Sequence, residues 1–386
     1  MEDGLSRQAL GASRALAAAG WEVGIGSPNR RSVAAASRAV RAWHRVDSPL
    51  EGIDRFAADV EQAIASGRYD VVFGARDYEE AALAAVRERL SAKVAHPELA
   101  TVARSLDKLE LTRLGEDAGF AVPATAEAGE DPPGSGPWIV KPRLGPALAR
   151  ALDSGSRPPG PTSARVVADG RELVGAVASM KASGDEPLVQ ETIVGKLIAV
   201  VVLAERDHSI VRSYQQHSEL RWPQGAGISV RAEVVPSDPG LAERSEALVR
   251  SLRWSGLAQM QFLQPGGSEP RLIDFNGRFF GSIALAQAAG SNLADAWARG
   301  VLEERTPDPG PAAVGTRYHW AWGDIRRATQ DRRGGLIRDL IDVARYSRGS
   351  VHSVFSFRDP RPAMRYTRIA GGRARRRGAN GPRAAG

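Results

Sequence analysis

Cysteine is absent from the 386 residues, which excludes disulfides, thiol nucleophiles and thiolate metal sites. Lysine is nearly as scarce: of 52 basic residues, five are lysine (Lys93, Lys108, Lys141, Lys181 and Lys196) and the other 47 are arginine. Each surviving lysine is therefore informative, because a compact ammonium can fit a tight phosphate site where a planar guanidinium does not. Lys93 and Lys181 read as ordinary surface positions. The six histidines are scattered without metal-ligand spacing. No apolar run is long enough to cross a membrane and no secretory leader is visible, so a cytoplasmic protein is expected. A net charge of +7 is a modest excess that helps attract anionic ligands but identifies none.

What the chain does hold is size for two or three domains and a hairpin around which the rest is arranged. Leu257–Leu263 and Leu272–Asn276 alternate apolar and polar residues, and QPGGSEPR between them is turn chemistry. Strand periodicity sends Ala258, Met260 and Phe262 to one face with Ile273 and Phe275, and Gln259, Gln261, Asp274 and Asn276 to the other. Pairing Leu263 with Leu272 sets Gln261 opposite Asp274, so the oxygens of Gln261, Asp274 and Asn276 gather beside Arg278. Oxygen donors of this kind suit Mg²⁺, which takes one or two carboxylates and fills its octahedron with water and phosphate oxygens. Arg278 adds a planar fork for phosphate or carboxylate. The plainer alternative is a hairpin with one wetted face.

Upstream, strand and helix patterns alternate: a helix over 5–19, a strand over 21–27, a helix over 50–66, a strand over 69–75 and a helix over 78–90. That order predicts an open, mostly parallel, Rossmann-like α/β domain over residues 1–95. A strand should precede the first helix, so either the sheet lacks an edge or the true start lies upstream of Met1. Residues 96–119 read as helical, with Gly119 at the C-terminal cap. WIVKP (138–142) reads as a short strand ending in Lys141, with Pro142 at its end.

Several stretches together resemble the ATP-grasp superfamily, most closely its carboxylate-amine ligase branch. LIDFNGRFFGSIALAQAAGSNL is similar to its metal-binding signature, SLDKLELTRLGEDAGFAVPAT to its entry segment, and PLVQETIVG to its hinge strand. The likeness covers residues 1 to 300 and is strongest over 188–195 and 256–293. It implies α/β and α+β architecture: the Rossmann-like domain, then a two-lobed ATP-grasp fold over 96–304, a C-terminal extension over 305–370 and a disordered basic tail over 371–386.

By matching position the resemblance implies Mg²⁺, or Mn²⁺ in its place, held by Gln261, Asp274 and Asn276. Gln261 stands where the family places a glutamate. Lys108 and Lys141 would meet ATP phosphates, Arg278 and Lys141 would act at the reacting groups, and Gln190, Glu191 and Ile193 would line the adenine site, Glu191 and Ile193 largely through main chain. The implied reaction activates a substrate carboxylate as an acyl phosphate for attack by an amine, with ATP becoming ADP. Arg221 and Arg231 are candidates for an acceptor carboxylate, or else surface arginines, and Glu205 is a candidate ribose acid. The segment 142–167 departs from the family's compact phosphate loop. A second reading is therefore a degenerate ATP-grasp protein that binds nucleotide without ligating. The expected partners are a small carboxylate and an amine. No membrane is expected, for want of a long apolar run, and nucleic acid is not expected because no aromatics interleave with Arg373, Arg375, Arg376 and Arg377.

Overall fold

The computed structural model describes residues 6–145, 164–222, 227–303, 305–332 and 334–379. The N-terminal domain starts with α1 (Arg7–Ala18), capped by the Ser6 hydroxyl, which accepts the Ala9 amide. Gly20, at φ +93, reverses the chain after the helix, a conformation that a Cβ would strain. Then come β1 (Val23–Ser27), β2 (Val40–Arg45), α2 (Ile53–Gly67), β3 (Val71–Val72), α3 (Asp77–Val86) and β4 (Lys93–Val94). β1 pairs parallel with β2 and β3 parallel with β4. Parallel pairing with helical crossovers is the expected α/β pattern, but the four strands form two separate pairs rather than one sheet.

The predicted helical stretch 96–119 is two helices, α4 (Leu99–Leu106) and α5 (Lys108–Asp117). Asp107 sits between them in an extended conformation, and its carboxylate accepts the amides of Leu109 and Glu110. A short acid that caps better than it propagates explains the break. Gly119, at φ +82, ends α5 as expected.

The first lobe is a four-stranded sheet in the order β5-β8-β6-β7, with every pair antiparallel. Its strands are β5 (Thr125–Glu127), β6 (Trp138–Pro142), β7 (Arg165–Val167) and β8 (Pro187–Glu191), and α6 (Gly170–Ala182) covers it through Ala176 and Met180. The second lobe is built on seven strands, β9 (Lys196–Ala204), β10 (Ile210–Trp222), β11 (Ile228–Val235), β12 (Gly256–Gln264), β13 (Arg271–Asn276), β14 (Arg317–His319) and β15 (Ser350–His352). They lie in the order β13-β12-β9-β10-β11-β14-β15. β9 is buried along nearly its whole length because side chains of both parities have cores to enter. Val201 and Leu203 join one core with Leu257, while Val200 and Val202 join another with Met260. α7 (Pro239–Leu252) seals the second of these, and α8 (Ile283–Ala288) and α9 (Leu293–Glu303) seal the first.

The segment expected to be a C-terminal extension contributes two strands to this sheet. It also supplies α10 (Ala321–Asp331), α11 (Leu336–Ser347) and α12 (Arg361–Ala379). α12 corrects the expectation of a disordered tail for residues 371–379, whose backbone is helical. Alanine and arginine are good helix formers, and the helix is already anchored by buried Tyr366 and Ala370. Residues 380–386 and 146–163 lie outside the described residues, and with them most of the expected phosphate-loop departure.

Candidate active site

The hairpin pairs Gln261 with Asp274 and Gln259 with Asn276, as the alternation predicted, but Leu263 faces Arg271 and Phe262 faces Leu272. Ile273 is the extra residue of a β-bulge. In consequence Leu272 and Phe275, rather than Ile273 and Phe275, enter the core beneath the strand, and Ile273 is half-buried. Bulges re-aim side chains in this way at the edges of functional sites. The face is not simply wet either, since Gln259 and Asn276 are buried.

On that face the polar groups hold one another. Asn276 gives Nδ2 to Asp274 Oδ2 at 3.3 Å, and Arg278 gives Nη2 to Asn276 Oδ1 at 2.8 Å. Gln261 gives Nε2 to Gln259 Oε1 at 3.1 Å, which turns its own carbonyl oxygen away from Gln259. The donor set is one carboxylate and amide oxygens, a hard set that fits Mg²⁺ only with phosphate oxygens completing the shell. Among the described residues no group of three or more His, Asp or Glu side chains is arranged for a metal.

Both candidate phosphate lysines converge on this face. Lys108, the first residue of α5, places Nζ 3.7 Å from Asp274 Oδ1. Lys141, at the end of β6, is 9% exposed and gives Nζ to Gln190 Oε1 at 2.8 Å. Gln190 is oriented in turn by donating Nε2 to Thr125 Oγ1 at 2.8 Å. Burial pushes the Lys141 ammonium down to about 7, the charge of Lys108 acts the same way, and Asp274 opposes them. The two lysines are tied through Arg143, whose carbonyl accepts the Lys108 amide at 3.1 Å and whose Nε meets both oxygens of Asp107 at 3.1 and 3.0 Å.

At the hinge, Glu191 gives its amide to the Ala124 carbonyl at 3.0 Å. Its carboxylate accepts the Ala124 amide at 2.9 Å and an ion pair from Arg271 of β13, so it joins the lobes. The Ile193 amide has no hydrogen-bond partner among the described residues. Other candidates lie elsewhere. Arg231 is buried against Asp324 and Asp342, an internal ion pair rather than a substrate contact or a surface group. Arg221 donates to the Gly195 carbonyl at 3.0 Å. Glu205 accepts the Thr306 amide. It follows the far end of β9, about 27 Å from the hinge at strand rise, too distant for a ribose there.

Residues that the sequence did not single out complete the site. Arg278 gives Nε to Asp77 Oδ1 at 2.5 Å, so the first residue of α3 brings the N-terminal domain to this polar face. Behind it Glu80 is wholly buried, with neither carboxylate oxygen hydrogen-bonded among the described residues, and Oε1 lies 4.0 Å from His96 Nδ1. Burial, reinforced by Asp77 and opposed by Arg278, holds the Glu80 carboxyl well above its usual range. Burial likewise drives His96 down to about 3, in keeping with a neutral ring whose Nε2 accepts the Gly74 amide at 2.7 Å. DYEEA in the sequence carried an acidic helix start, but nothing in it pointed to a site on another domain.

The two lobes and the cleft between them have the ATP-grasp fold, and the chain is similar in architecture to solved ligases and carboxylases of that fold. More particularly, residues 185–323 match the family described as ATP-grasp in the biosynthetic pathway with Ter operon. No curated protein matches the chain by sequence. Among solved structures, a biotin carboxylase from Campylobacter jejuni in complex with β,γ-ATP superimposes with a TM-score of 0.58 at 15% identity, over 81% of this chain and 72% of that one. An L-amino acid ligase from Bacillus licheniformis gives 0.56 at 14%, over 80% and 76%. The biotin carboxylase domain of a Hydrogenobacter thermophilus 2-oxoglutarate carboxylase, in complex with MgADP, ADP and bicarbonate, gives 0.58 at 14%, over 81% and 71%. At these identities the likeness shows the fold. Among the described residues no helix is long and apolar enough to cross a membrane.

Proposed function

We propose that this chain is an ATP-dependent ligase that joins a small carboxylate to an amine. The observation that carries the reading is the convergence of Lys108 and Lys141, from two different elements, on the face that holds Asp274, Asn276 and Arg278. A carboxylate oxygen attacks the γ-phosphorus and ADP leaves, giving an acyl phosphate. The amine then adds to the acyl carbon and expels phosphate. From a carboxylate and an ammonium group the products are the amide, ADP, phosphate and one proton.

In this scheme Lys108 and Lys141 neutralise phosphate oxygens, and Gln190 holds Lys141 in place until the nucleotide arrives. Adenine bonds the Ile193 amide and the main-chain carbonyl of Glu191, whose own amide is already engaged. Gln261, Asp274 and Asn276 would hold Mg²⁺, or Mn²⁺ in its place, which supplies charge neutralisation between the phosphates. Arg278 steadies the transferred phosphoryl group. No dedicated base is required of these residues, since positioning and electrostatic stabilisation supply most of the catalysis in phosphoryl transfer. The test is calorimetric titration with ATP, with and without Mg²⁺, followed by a screen of carboxylates and amines for ADP release. Magnesium-dependent binding with release only when both substrates are present supports the reading. Absence of nucleotide binding overturns it.

A further inference from the structure

α11 is held to the second lobe by one side only. Asp342 accepts Arg231 Nη2 at 2.6 Å, Tyr346 gives its hydroxyl to the Ala232 carbonyl at 3.2 Å, and Asp339 and Val343 are buried. At 3.6 residues per turn these four residues share one side of the helix. Leu336, Ile337, Leu340 and Ile341 fall on the adjoining side, and all four are exposed, Ile337 by 76% and Ile341 by 47%. Along the edge beyond them stand Arg338 and Arg345, two turns apart, and Arg348 follows the helix. The side chains of these three arginines have no ion-pair or hydrogen-bond partner among the described residues. β15, on which the helix packs, leads to a further exposed apolar pair, Phe355 and Phe357, whose rings meet edge to face at 4.7 Å.

Charge is distributed unevenly along the chain in the same sense. Residues 305–386 carry 18 arginines against six aspartates, a net +12, whereas residues 1–304 carry 34 basic against 39 acidic residues, a net −5. The excess positive charge of the whole protein therefore belongs to the segment that also exposes the apolar side of α11.

We propose that the outer side of α11 docks on an anionic phospholipid surface. The helix lies in the headgroup plane, its four exposed aliphatic side chains enter the acyl boundary, and its arginines meet lipid phosphates. Other occupants answer only part of this surface. A second copy of the chain would bring the patch against itself, because a symmetric dimer interface is isologous, and unpaired arginines would then face arginines. A nucleic acid answers the arginines but leaves Leu336, Ile337, Leu340 and Ile341 without a contact, since its affinity comes from phosphate charge and from stacking on aromatic rings. An anionic bilayer surface answers both. No spanning helix is needed for this, because an interfacial helix requires one apolar side rather than a length that crosses the bilayer. Nor does docking have to order the helix, which the Arg231 ion pair and its buried side already hold in place.

The experiment is sedimentation of the full chain with vesicles of phosphatidylglycerol and phosphatidylcholine in equal parts, and with vesicles of phosphatidylcholine alone. Binding to the anionic vesicles should be tighter by at least about tenfold and should weaken as salt is raised. Ile337→Ser combined with Ile341→Ser leaves the charge unchanged and alters only exposed side chains. This variant should keep the native melting temperature and lose vesicle binding by about tenfold or more. Arg338→Gln combined with Arg345→Gln should weaken binding to the anionic vesicles and flatten the salt dependence. Val174→Ser, at a valine 70% exposed on α6 of the first lobe, should change nothing. Failure of the native chain to bind anionic vesicles overturns the proposal. Binding that survives the double serine variant overturns it too, since charge alone would then account for it. A dimer in solution that the serine variant abolishes, without vesicle binding by the native chain, assigns the face to a second copy instead.

Discussion

Lys141 on β6 and Gln190 on β8 are joined side chain to side chain, Nζ to Oε1 at 2.8 Å, within a sheet whose backbone register sets Ile139, not Lys141, opposite Gln190. The bond is diagonal, and it occupies a buried ammonium held near neutrality with an acceptor that carries no charge. Such an ammonium gains most when an anion arrives. Lys141→Ala should weaken ATP by about ten- to a hundredfold, on the scale of about 1.5–3 kcal/mol for a hydrogen bond to a charged group. It should weaken adenosine little. Isothermal titration with both ligands checks this, and equal losses would place Lys141 away from the phosphates.

The same group predicts a pH dependence. With a pKa of about 7 in the free protein, Lys141 is increasingly neutral above that value. Bound phosphate favours the charged form, so binding should take up a proton, and ATP affinity should fall by up to about tenfold per pH unit above 7. Calorimetry in buffers of different ionisation enthalpy reads the uptake directly. Lys141→Arg should remove the slope.

Gln261 and Asp274 lie opposite one another on the face proposed to hold Mg²⁺. Gln261→Glu would place a second carboxylate there, and magnesium-dependent nucleotide affinity should rise several-fold. Asp274→Ala should abolish the magnesium dependence, since it removes the only charged donor of the proposed set. Unchanged magnesium dependence in the alanine variant would sink the proposed metal site.

Asp77 reaches Arg278 from the N-terminal domain. Releasing it with Asp77→Asn should leave ATP binding within about threefold but lower turnover about tenfold or more, because Arg278 loses its fixed direction, and misplaced groups cost that much in rate. Steady-state kinetics on an identified substrate pair separate the two effects.

Glu80 and His96 should make stability respond to pH in opposite windows. Glu80 has a folded pKa above its unfolded value, so its contribution is present at low pH and lost as pH rises through the folded value. His96, at about 3 when folded against 6.5 otherwise, favours unfolding as pH falls between those two values. Glu80→Gln should therefore melt higher than the native protein at alkaline pH and match it under acid conditions. Melting curves of both proteins from pH 4 to 9 test this, and the contribution of Lys141 cancels because it is common to both.

Alternation made the hairpin legible: a period of two with a Pro/Gly turn specifies two strands and places Gln261 opposite Asp274. It could not show the bulge at Ile273, because an inserted residue leaves composition and spacing unchanged. The resemblance, sharpened by the scarcity of lysine, pointed to Lys108 and Lys141, and both lie near Asp274. Arg231 misled because an arginine buried against Asp324 and Asp342 reads in sequence like any other arginine of an arginine-rich chain. Asp77, Glu80 and His96 were missed for a different reason. Asp77 acts through Arg278, some two hundred positions away, and Glu80 and His96 meet across separate elements, contacts that no local pattern encodes.

The bulge at Ile273 also separates two properties of the hairpin that a regular ladder would lock together. In an unbroken antiparallel pair, the turn sets which residues share a face all the way along. Here the slack is taken up one step before Asp274, so the phase of the polar face is fixed by its own pairs, Gln261 with Asp274 and Gln259 with Asn276. The loop over 265–270 is thereby free to vary in length and composition without rotating the carboxylate out of the cleft. Insertion tolerance should accordingly be high in that loop and drop abruptly between Ile273 and Asn276.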